Sequence, residues 1–304
     1  MPSPYTLYQV DSFTTEKFKG NPAGVVSNAD GLSELQMQAI AREMNCSETA
    51  FVFSSQDPTS HDIYIRYFTP TVEVPVCGHA TIAAHYVLAK ERGLDRITTF
   101  RTKTGIGVLD IEIQPRGDSY KIVMTEGEIE FQPILTRDQL NRILEALGLT
   151  ISDWDPRFPA QIVSTGHSKV LIGIKSRETL NRLSPDFRRL AYLSPSIGSN
   201  GYFVFTFDSD EAEILTYGRM FAPAIGIDED PVTGNAHGPL GAYIAWYGLV
   251  PPDNNRLVFW GKQGETMNRP GCVEVRVDVE NNLPRRVQIA GEAVIVFRTE
   301  LVLF

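Results

Sequence analysis

Cysteine is scarce in this chain of 304 residues. Cys46, Cys77 and Cys272 are an odd and sparse set that cannot build a disulfide framework and suits a reducing compartment. Basic residues are outnumbered, 28 Lys and Arg against 37 Asp and Glu. The resulting net charge of −9 argues against nucleic acid, whose phosphates need a basic face. No apolar run approaches the roughly 18 residues of a membrane span. The opening Met1-Pro2-Ser3-Pro4 lacks the basic and apolar regions of a secretory signal. A cytoplasmic location with no membrane partner is therefore expected. A phosphate-binding Gly-x-x-x-x-Gly-Lys-Ser/Thr loop is absent, and Gly105-Ile106-Gly107 leads into strand-like residues without a third Gly, so no dinucleotide fingerprint is present. His61, His85, His167 and His237 show no metal-ligand spacing. Neither a cofactor nor a metal is expected.

What the chain does contain is a weak copy of itself, the first thing to look for in a sequence of this length. Arg66-Tyr67-Phe68-Thr69-Pro70 returns 153 residues later as Arg219-Met220-Phe221-Ala222-Pro223. Phe51-Val52-Phe53 returns 152 residues later as Phe203-Val204-Phe205. A Gly-containing turn follows each Arg motif: Cys77-Gly78-His79-Ala80-Thr81 in the first copy, Thr233-Gly234-Asn235-Ala236-His237 in the second. Two lobes fit the size prior for a chain this long. The first lobe is expected over residues 1–127, completed by a C-terminal strand at about 293–304, and the second over 128–292.

Periodicity places the elements. Tyr5–Val10, Ala23–Ser27, Thr49–Phe53 and Asp62–Phe68 read as strands, and Thr98–Glu126 as a meander turning at Gly105 and Arg116-Gly117-Asp118. Ser33 with Gln36, and Thr136 with Gln139, are capping boxes that open amphipathic helices. Ser184-Pro185 is expected to open another, with Ser as N-cap and Pro at the first helical position. Ala80–Arg92 and Ala236–Tyr247 differ from these. They are apolar nearly all round, which predicts helices buried on every side. The fold class expected is α+β: two pseudo-symmetric lobes, each a curved, mostly antiparallel sheet wrapped around a central buried helix. Each such helix starts at a Gly turn, whose unpaired N–H groups attract a carboxylate or a developing oxyanion.

A few polar residues stand where chemistry is plausible. Glu48 lies between a capped helix and an apolar strand, in an expected loop whose repeat equivalent is Asn200. A carboxylate partly withdrawn from water makes a proton carrier near neutral pH. Cys77 precedes the first buried helix, where a thiol is activated by the helix N-terminus. Asp230 stands as far from its Arg motif as Cys77 does from its own, 11 residues, and offers an acidic group at the second turn. His79 could donate to a substrate oxygen or orient Glu48. Asn21, in Gly-Asn-Pro, is a turn residue. Gly78, Gly234 and Asn235 offer backbone N–H groups, with Gly permitting close approach.

Taken together, Asp11-Ser12-Phe13, Gly20-Asn21-Pro22, Ser47-Glu48-Thr49, Phe68-Thr69-Pro70, Gly78-His79-Ala80, Arg219-Met220-Phe221 and Glu229–Ala236 resemble the phenazine-biosynthesis PhzF-like isomerases, which share the diaminopimelate-epimerase fold. The resemblance runs nearly end to end and is closest to the uncharacterised bacterial YddE-type branch. It implies a cofactor-independent proton-transfer enzyme. The residue matching Glu48 is the shuttle, those matching His79 and Asp230 assist, and those matching Gly78, Gly234 and Asn21 line the substrate. It also implies a homodimer as an assembly to expect. Epimerases of this fold use two opposed thiols. This chain has Cys77 at the first turn and none at the second, which disfavours a symmetric two-thiol epimerase. The phenazine enzyme needs no thiol at the first turn and has a small hydroxyl residue where Asn235 stands. The expected function is an isomerase moving a proton on a small carboxylate-bearing substrate, a cyclic amino or hydroxy acid, with Glu48 as acid/base in the interlobe cleft. Two alternatives stay open: a racemase or epimerase using Cys77 with Glu48 or Asp230, and a non-catalytic binding protein for a small carboxylate.

Overall fold

The computed structural model describes residues 4–303, which divide into two compact units, residues 4–125 with 290–303, and residues 126–289. In the first unit, β1 (Tyr5–Ser12) pairs antiparallel with β2 (Asn21–Val26). Helix α1 (Glu34–Met44) then crosses to β3 (Glu48–Ser54), which lies parallel to β2. β4 (Ile63–Phe68) returns antiparallel to β3 and is joined by the short β5 (Glu73–Val74). Helix α2 (Gly78–Arg92) leads to β6 (Thr98–Thr104), parallel to β4, and β7 (Gly107–Arg116) and β8 (Ser119–Thr125) finish a meander.

The second unit repeats this order. After β9 (Ile129–Ile134) and α3 (Arg137–Ala146), β10 (Gln161–Thr165) pairs antiparallel with β11 (Ser168–Gly173). Helices α4 (Arg177–Asn181) and α5 (Phe187–Ile197) cross to β12 (Tyr202–Thr206), parallel to β11. β13 (Ile214–Ala222) and β14 (Ile227–Asp230) follow, then α6 (Gly234–Trp246), β15 (Arg256–Gln263) parallel to β13, and β16 (Gly271–Glu280). The long β17 (Leu283–Leu301) starts in this unit and ends in the first, where it pairs with β1, Tyr5 opposite Leu301. β9 pairs with β10 in the second unit as the end of β17 pairs with β1 in the first.

The buried helices extend one turn-start beyond their sequence boundaries, to Gly78 and Gly234. Every residue of α2 from His79 to Ala89 is buried, and in α6 so are Gly234 and every residue from Ala236 to Ala245. α2 packs on β1, β2, β3, β7 and β8, and α6 on β10, β11, β15 and β16. α1 covers the opposite face of the first unit's strands through Met37, Ile40 and Ala41, against Val26, Phe51 and Phe68. With helices on both faces, β3 is buried over four consecutive residues, Thr49–Val52, rather than alternately. Ser33 and Thr136 form the capping boxes their spacing predicts. Ser184-Pro185 does not open a helix. Asp186 is the N-cap of α5, its carboxylate accepting from the Arg189 N–H, and an Asp two residues on outcompetes the Ser.

The repeated Arg motif has a structural cause. Arg66 on β4 grips Glu73 on β5 with two bonds, Nε to Oε1 at 2.7 Å and Nη2 to Oε2 at 2.6 Å. Arg219 on β13 grips Glu229 on β14 in the same way, at 2.8 Å and 2.8 Å. The partner lies seven residues on in the first unit and ten in the second. The 3₁₀ turn Pro223–Ile225 stands in the longer connection. Arg219 also donates to the carbonyls of Leu180 and Leu183, at 3.1 and 3.0 Å, and its side chain is 9% exposed. Arg66 reaches the open surface through Glu34, whose side chain is 70% exposed. Removing a buried partner strands a charge, whereas exposed pairs contribute little. Arg219→Met should therefore cost about 3–5 kcal/mol in chemical denaturation, and Arg66→Met about 1 kcal/mol or less. Equal losses in the two variants would contradict this assignment.

Each buried helix also carries an uncharged histidine. His85 Nδ1 lies 2.8 Å from the Thr81 carbonyl oxygen, which can only accept, so Nδ1 holds the proton. Nε2 then accepts from Thr102 Oγ1 at 2.8 Å. His237 Nδ1 likewise lies 3.0 Å from the Thr233 carbonyl oxygen. Burial pulls both imidazoles down to about 4, below the ordinary 6.5. Between those values the unfolded chain binds more protons than the folded one, so stability is complete above pH 6.5 and falls as pH drops towards 4. Replacing His85 by Gln should flatten the slope of unfolding free energy against pH over this window. An unchanged slope would show that the buried imidazole is not its source.

Candidate active site

In the first unit the strand ends and the start of α2 converge. Glu48 is not in a loop but is the first residue of β3, paired with Ala23 of β2, because parallel pairing to β2 extends to the end of the apolar run. Its side chain is 13% exposed. Cys77 is the N-cap of α2 and is buried, with no side-chain cap bond to the helix. Gly78 and His79 form the first helical positions, and His79 is buried.

The His79 ring lies between the other two. Nδ1 stands 3.3 Å from Cys77 Sγ. Nε2 stands 3.1 Å from Ser47 Oγ and 3.4 Å from Glu48 Oε2. Glu48, Cys77 and His79 thus bring three ligand-type atoms within 4.8 Å of one another, a cluster that spacing along the sequence did not disclose. Both ring nitrogens already have partners on opposite sides. That geometry suits an imidazole passing a proton, since a metal taking either nitrogen would break one of these contacts.

The surroundings hold this group in place. Ser12, at the end of β1, donates to the His79 carbonyl oxygen at 2.8 Å. Tyr67 of β4 bonds Thr81 Oγ1 at 2.7 Å, and Thr81 donates to the Cys77 carbonyl oxygen at 2.7 Å. The Arg-Tyr-Phe-Thr-Pro motif therefore supplies a buried hydroxyl that fixes the turn as well as the Arg clamp. Asn21 begins β2 opposite Ser12 and is fully buried. Ser47 and Ser12 were not singled out from the sequence, although both stand inside the Ser-Glu-Thr and Asp-Ser-Phe motifs that were.

In the second unit, Asp230 ends β14 and is hydrogen-bonded to Thr233 Oγ1. The N-cap of α6 is Thr233, so Thr233 rather than Asp230 holds the place of Cys77 relative to the helix. The longer connection between the Arg motif and the helix accounts for the displacement. Gln263, 2% exposed, donates to the Asp230 carbonyl oxygen at 2.6 Å and accepts from the Thr233 N–H at 3.1 Å. Gly234 is buried at the first helical position, and Asn235 follows it with a buried Oδ1 that has no hydrogen-bond partner among the described residues.

The repeat also needs re-registering. Phe51 lies in the core under α1, whereas Tyr202 and Val204 turn to the α5 side and Phe203 lies 5.0 Å, ring to ring, from His237 of α6. Faces match only at the 153-residue offset of the Arg motif. The counterpart of Glu48 is then Gly201, not Asn200.

Among the described residues, no helix is long and apolar enough to cross a membrane. A family model described as phenazine biosynthesis-like protein matches residues 10–299. A Clostridium acetobutylicum protein named an uncharacterized isomerase is 54% identical over 299 residues, 98% of each chain. The trans-2,3-dihydro-3-hydroxyanthranilate isomerase of Pseudomonas chlororaphis is 32% identical over 294 residues, 97% of this chain and 98% of that one. The crystal structure of a Bacillus anthracis phenazine biosynthesis protein of the PhzF family, 31% identical, covers 99% of this chain and 100% of its own with a TM-score of 0.88. On these matches and the motifs at its strand and helix ends, the chain belongs to the phenazine biosynthesis-like, PhzF-type family.

Proposed function

We propose that the protein is an isomerase that moves a proton on a small carboxylate-bearing substrate, a cyclic amino or hydroxy acid, with Glu48 as the acid/base. The observation that carries the reading is the Cys77–His79–Glu48 contact chain beside the first turn of α2. Glu48 takes a proton from a carbon next to an activating group. The C–H electron pair enters the conjugated system, and the Glu48 carboxyl, its proton open to exchange with solvent, returns a proton at another carbon. The step is balanced without an oxidant or reductant. His79 orients the carboxylate and passes charge between it and Cys77, and Ser47 holds the ring on the Nε2 side. Because Cys77 provides no side-chain cap, the first-turn N–H groups of α2 serve the substrate anion. Each sheet, in this reading, curls round its buried helix so that the helix N-terminus opens beside the strand ends. Asp230 is assigned an assisting acid role, and Asn21, Gly78, Gly234 and Asn235 substrate contact, on family resemblance. The isomerase names of the relatives support the reaction class.

A second reading has its own observation. Cys77 Sγ sits against an imidazole nitrogen, the arrangement that lets a thiol act as base in a racemase or epimerase. Proton exchange in deuterated water separates the readings, using trans-2,3-dihydro-3-hydroxyanthranilate and a panel of cyclic amino and hydroxy acids. For the Glu48 shuttle, Glu48→Gln should slow exchange about 100-fold or more, the ordinary worth of a general base, while Cys77→Ala stays within about tenfold of wild type. The opposite pattern would select the thiol. Exchange by Glu48→Gln at the wild-type rate would remove Glu48 from the mechanism. Ligand-induced stabilisation with no exchange from any acid in the panel would indicate a binding protein.

A further inference from the structure

The first unit holds a cavity that the proposed reaction does not use. It opens on the α1 face of the sheet, where Phe53 of β3, Tyr64 of β4 and Lys103 of β6 stand side by side. Phe53 pairs with Tyr64, and Tyr64 with Lys103. Helix α1 covers this face at Phe51 and Phe68, but Phe53 and Tyr64 are only half-buried. The space beside them is about 410 Å³, enough for a small molecule, and His61, Arg66 and Asp57 add ionisable groups to its wall. Glu48 begins the same strand five residues before Phe53, roughly 16 Å away, and the odd spacing sends the two side chains to opposite faces. The cavity is therefore separate from the Cys77–His79–Glu48 chain.

Its surfaces define the ligand. The Phe53 and Tyr64 rings lie 5.8 Å apart, centroid to centroid, tilted by 31°, and form an apolar floor on which a planar ring can stack. The Lys103 ammonium stands 5.4 Å from the Tyr64 centroid, and among the described residues it closes no ion pair. The other charges are already matched. Arg66 is held by Glu34 and Glu73, at 2.8 and 2.6 Å. Asp57 accepts from the Thr59 hydroxyl at 2.5 Å and from the Thr59 N–H at 3.2 Å, and the hydroxyl contact above all keeps its carboxyl below the ordinary carboxylate range. One unmatched cation beside a standing anion suits a monocarboxylate, not a doubly charged phosphate. His61 is 5% exposed, and its Nδ1 is buried with no hydrogen-bond partner among the described residues. Buried polar atoms are nearly always paired, so this ring is a wall group with bonding capacity left for a hydroxyl or amino substituent.

We propose that this cavity binds a small aromatic monocarboxylate, with its ring on Phe53 and Tyr64, its carboxylate at Lys103 and a polar ring substituent towards His61. The inference does not rest on the proposed reaction, whose failure is read separately by isotope exchange in Glu48→Gln. The probe is 4-hydroxybenzoate, compared with phenol, the same ring without its carboxylate, and with adenosine monophosphate as a bulkier dianion. Affinity is read on the full chain from the slowing of amide hydrogen exchange over residues 53–64 as ligand is titrated, a signal local to the cavity. Wild type should bind 4-hydroxybenzoate about fivefold more tightly than phenol, the worth of one partly exposed ion pair, and the preference should shrink as salt is raised. Lys103→Met should remove the preference and leave phenol unchanged. Tyr64→Val, which keeps a strand-forming residue without the ring, should weaken both ligands several-fold. Protection at the start of α2 would belong to the other site and should be indifferent to Lys103→Met. No protection over residues 53–64 in wild type would overturn the proposal, as would a preference for the acid that survives in Lys103→Met, or adenosine monophosphate bound there as tightly as 4-hydroxybenzoate.

Discussion

A helix without a polar face has to be covered on every side, and much of the molecule follows from that need. α2 and α6 present apolar atoms all round, and each fully buried aliphatic side chain contributes on the order of 1.5–3 kcal/mol when water is excluded. Strands must cover these helices, and the outer helices α1 and α5 must cover the strands. Strands so enclosed lose the alternation of half-exposed sheets. The one part of such a helix that cannot be satisfied by apolar packing is its first turn, with N–H groups that lack carbonyl partners. Polar side chains gather there: Glu48, Cys77 and His79 in one unit, Asp230, Thr233 and Gln263 in the other.

Local signals were readable and non-local ones were not. Ser33 with Gln36 and Thr136 with Gln139 satisfy their helices within one turn, so spacing was sufficient to place them. Ser184-Pro185 failed because the competing cap, Asp186, lies in the same short segment and only the fold selects between them. The Arg motif was visible as a repeat, but its partners Glu73 and Glu229 depend on strand pairing. The Phe-Val-Phe echo was misleading. Its two copies point to opposite faces, a difference that sequence likeness cannot register when the side-chain period is two. Glu48, Cys77 and His79 were legible as separate residues at turns. Their contact through the two ring nitrogens was not, because it needs the β3 start and the α2 start side by side.

The two turns have diverged in kind. The first has a thiol as N-cap and a histidine at its second helical position, groups that carry protons. The second has a threonine and an asparagine at the same places, groups that make hydrogen bonds but do not titrate. Its ionisable members come from adjoining strands instead. The two frames are similar, and they differ in the side chains carried at a handful of strand and helix ends.

The strand pairing has a consequence for synthesis. β1 is covered on one side by β2 and on the other by β17, with Tyr5 opposite Leu301. A nascent polypeptide emerging from the ribosome can form the β1–β2 hairpin early, yet one edge of β1 stays without its partner until β17 has been made. Contacts of such sequence separation close slowly, and an open edge is a template for the wrong neighbour. β17 thus acts as a seal, and shortening it would expose newly made chains to aggregation before it altered any chemistry.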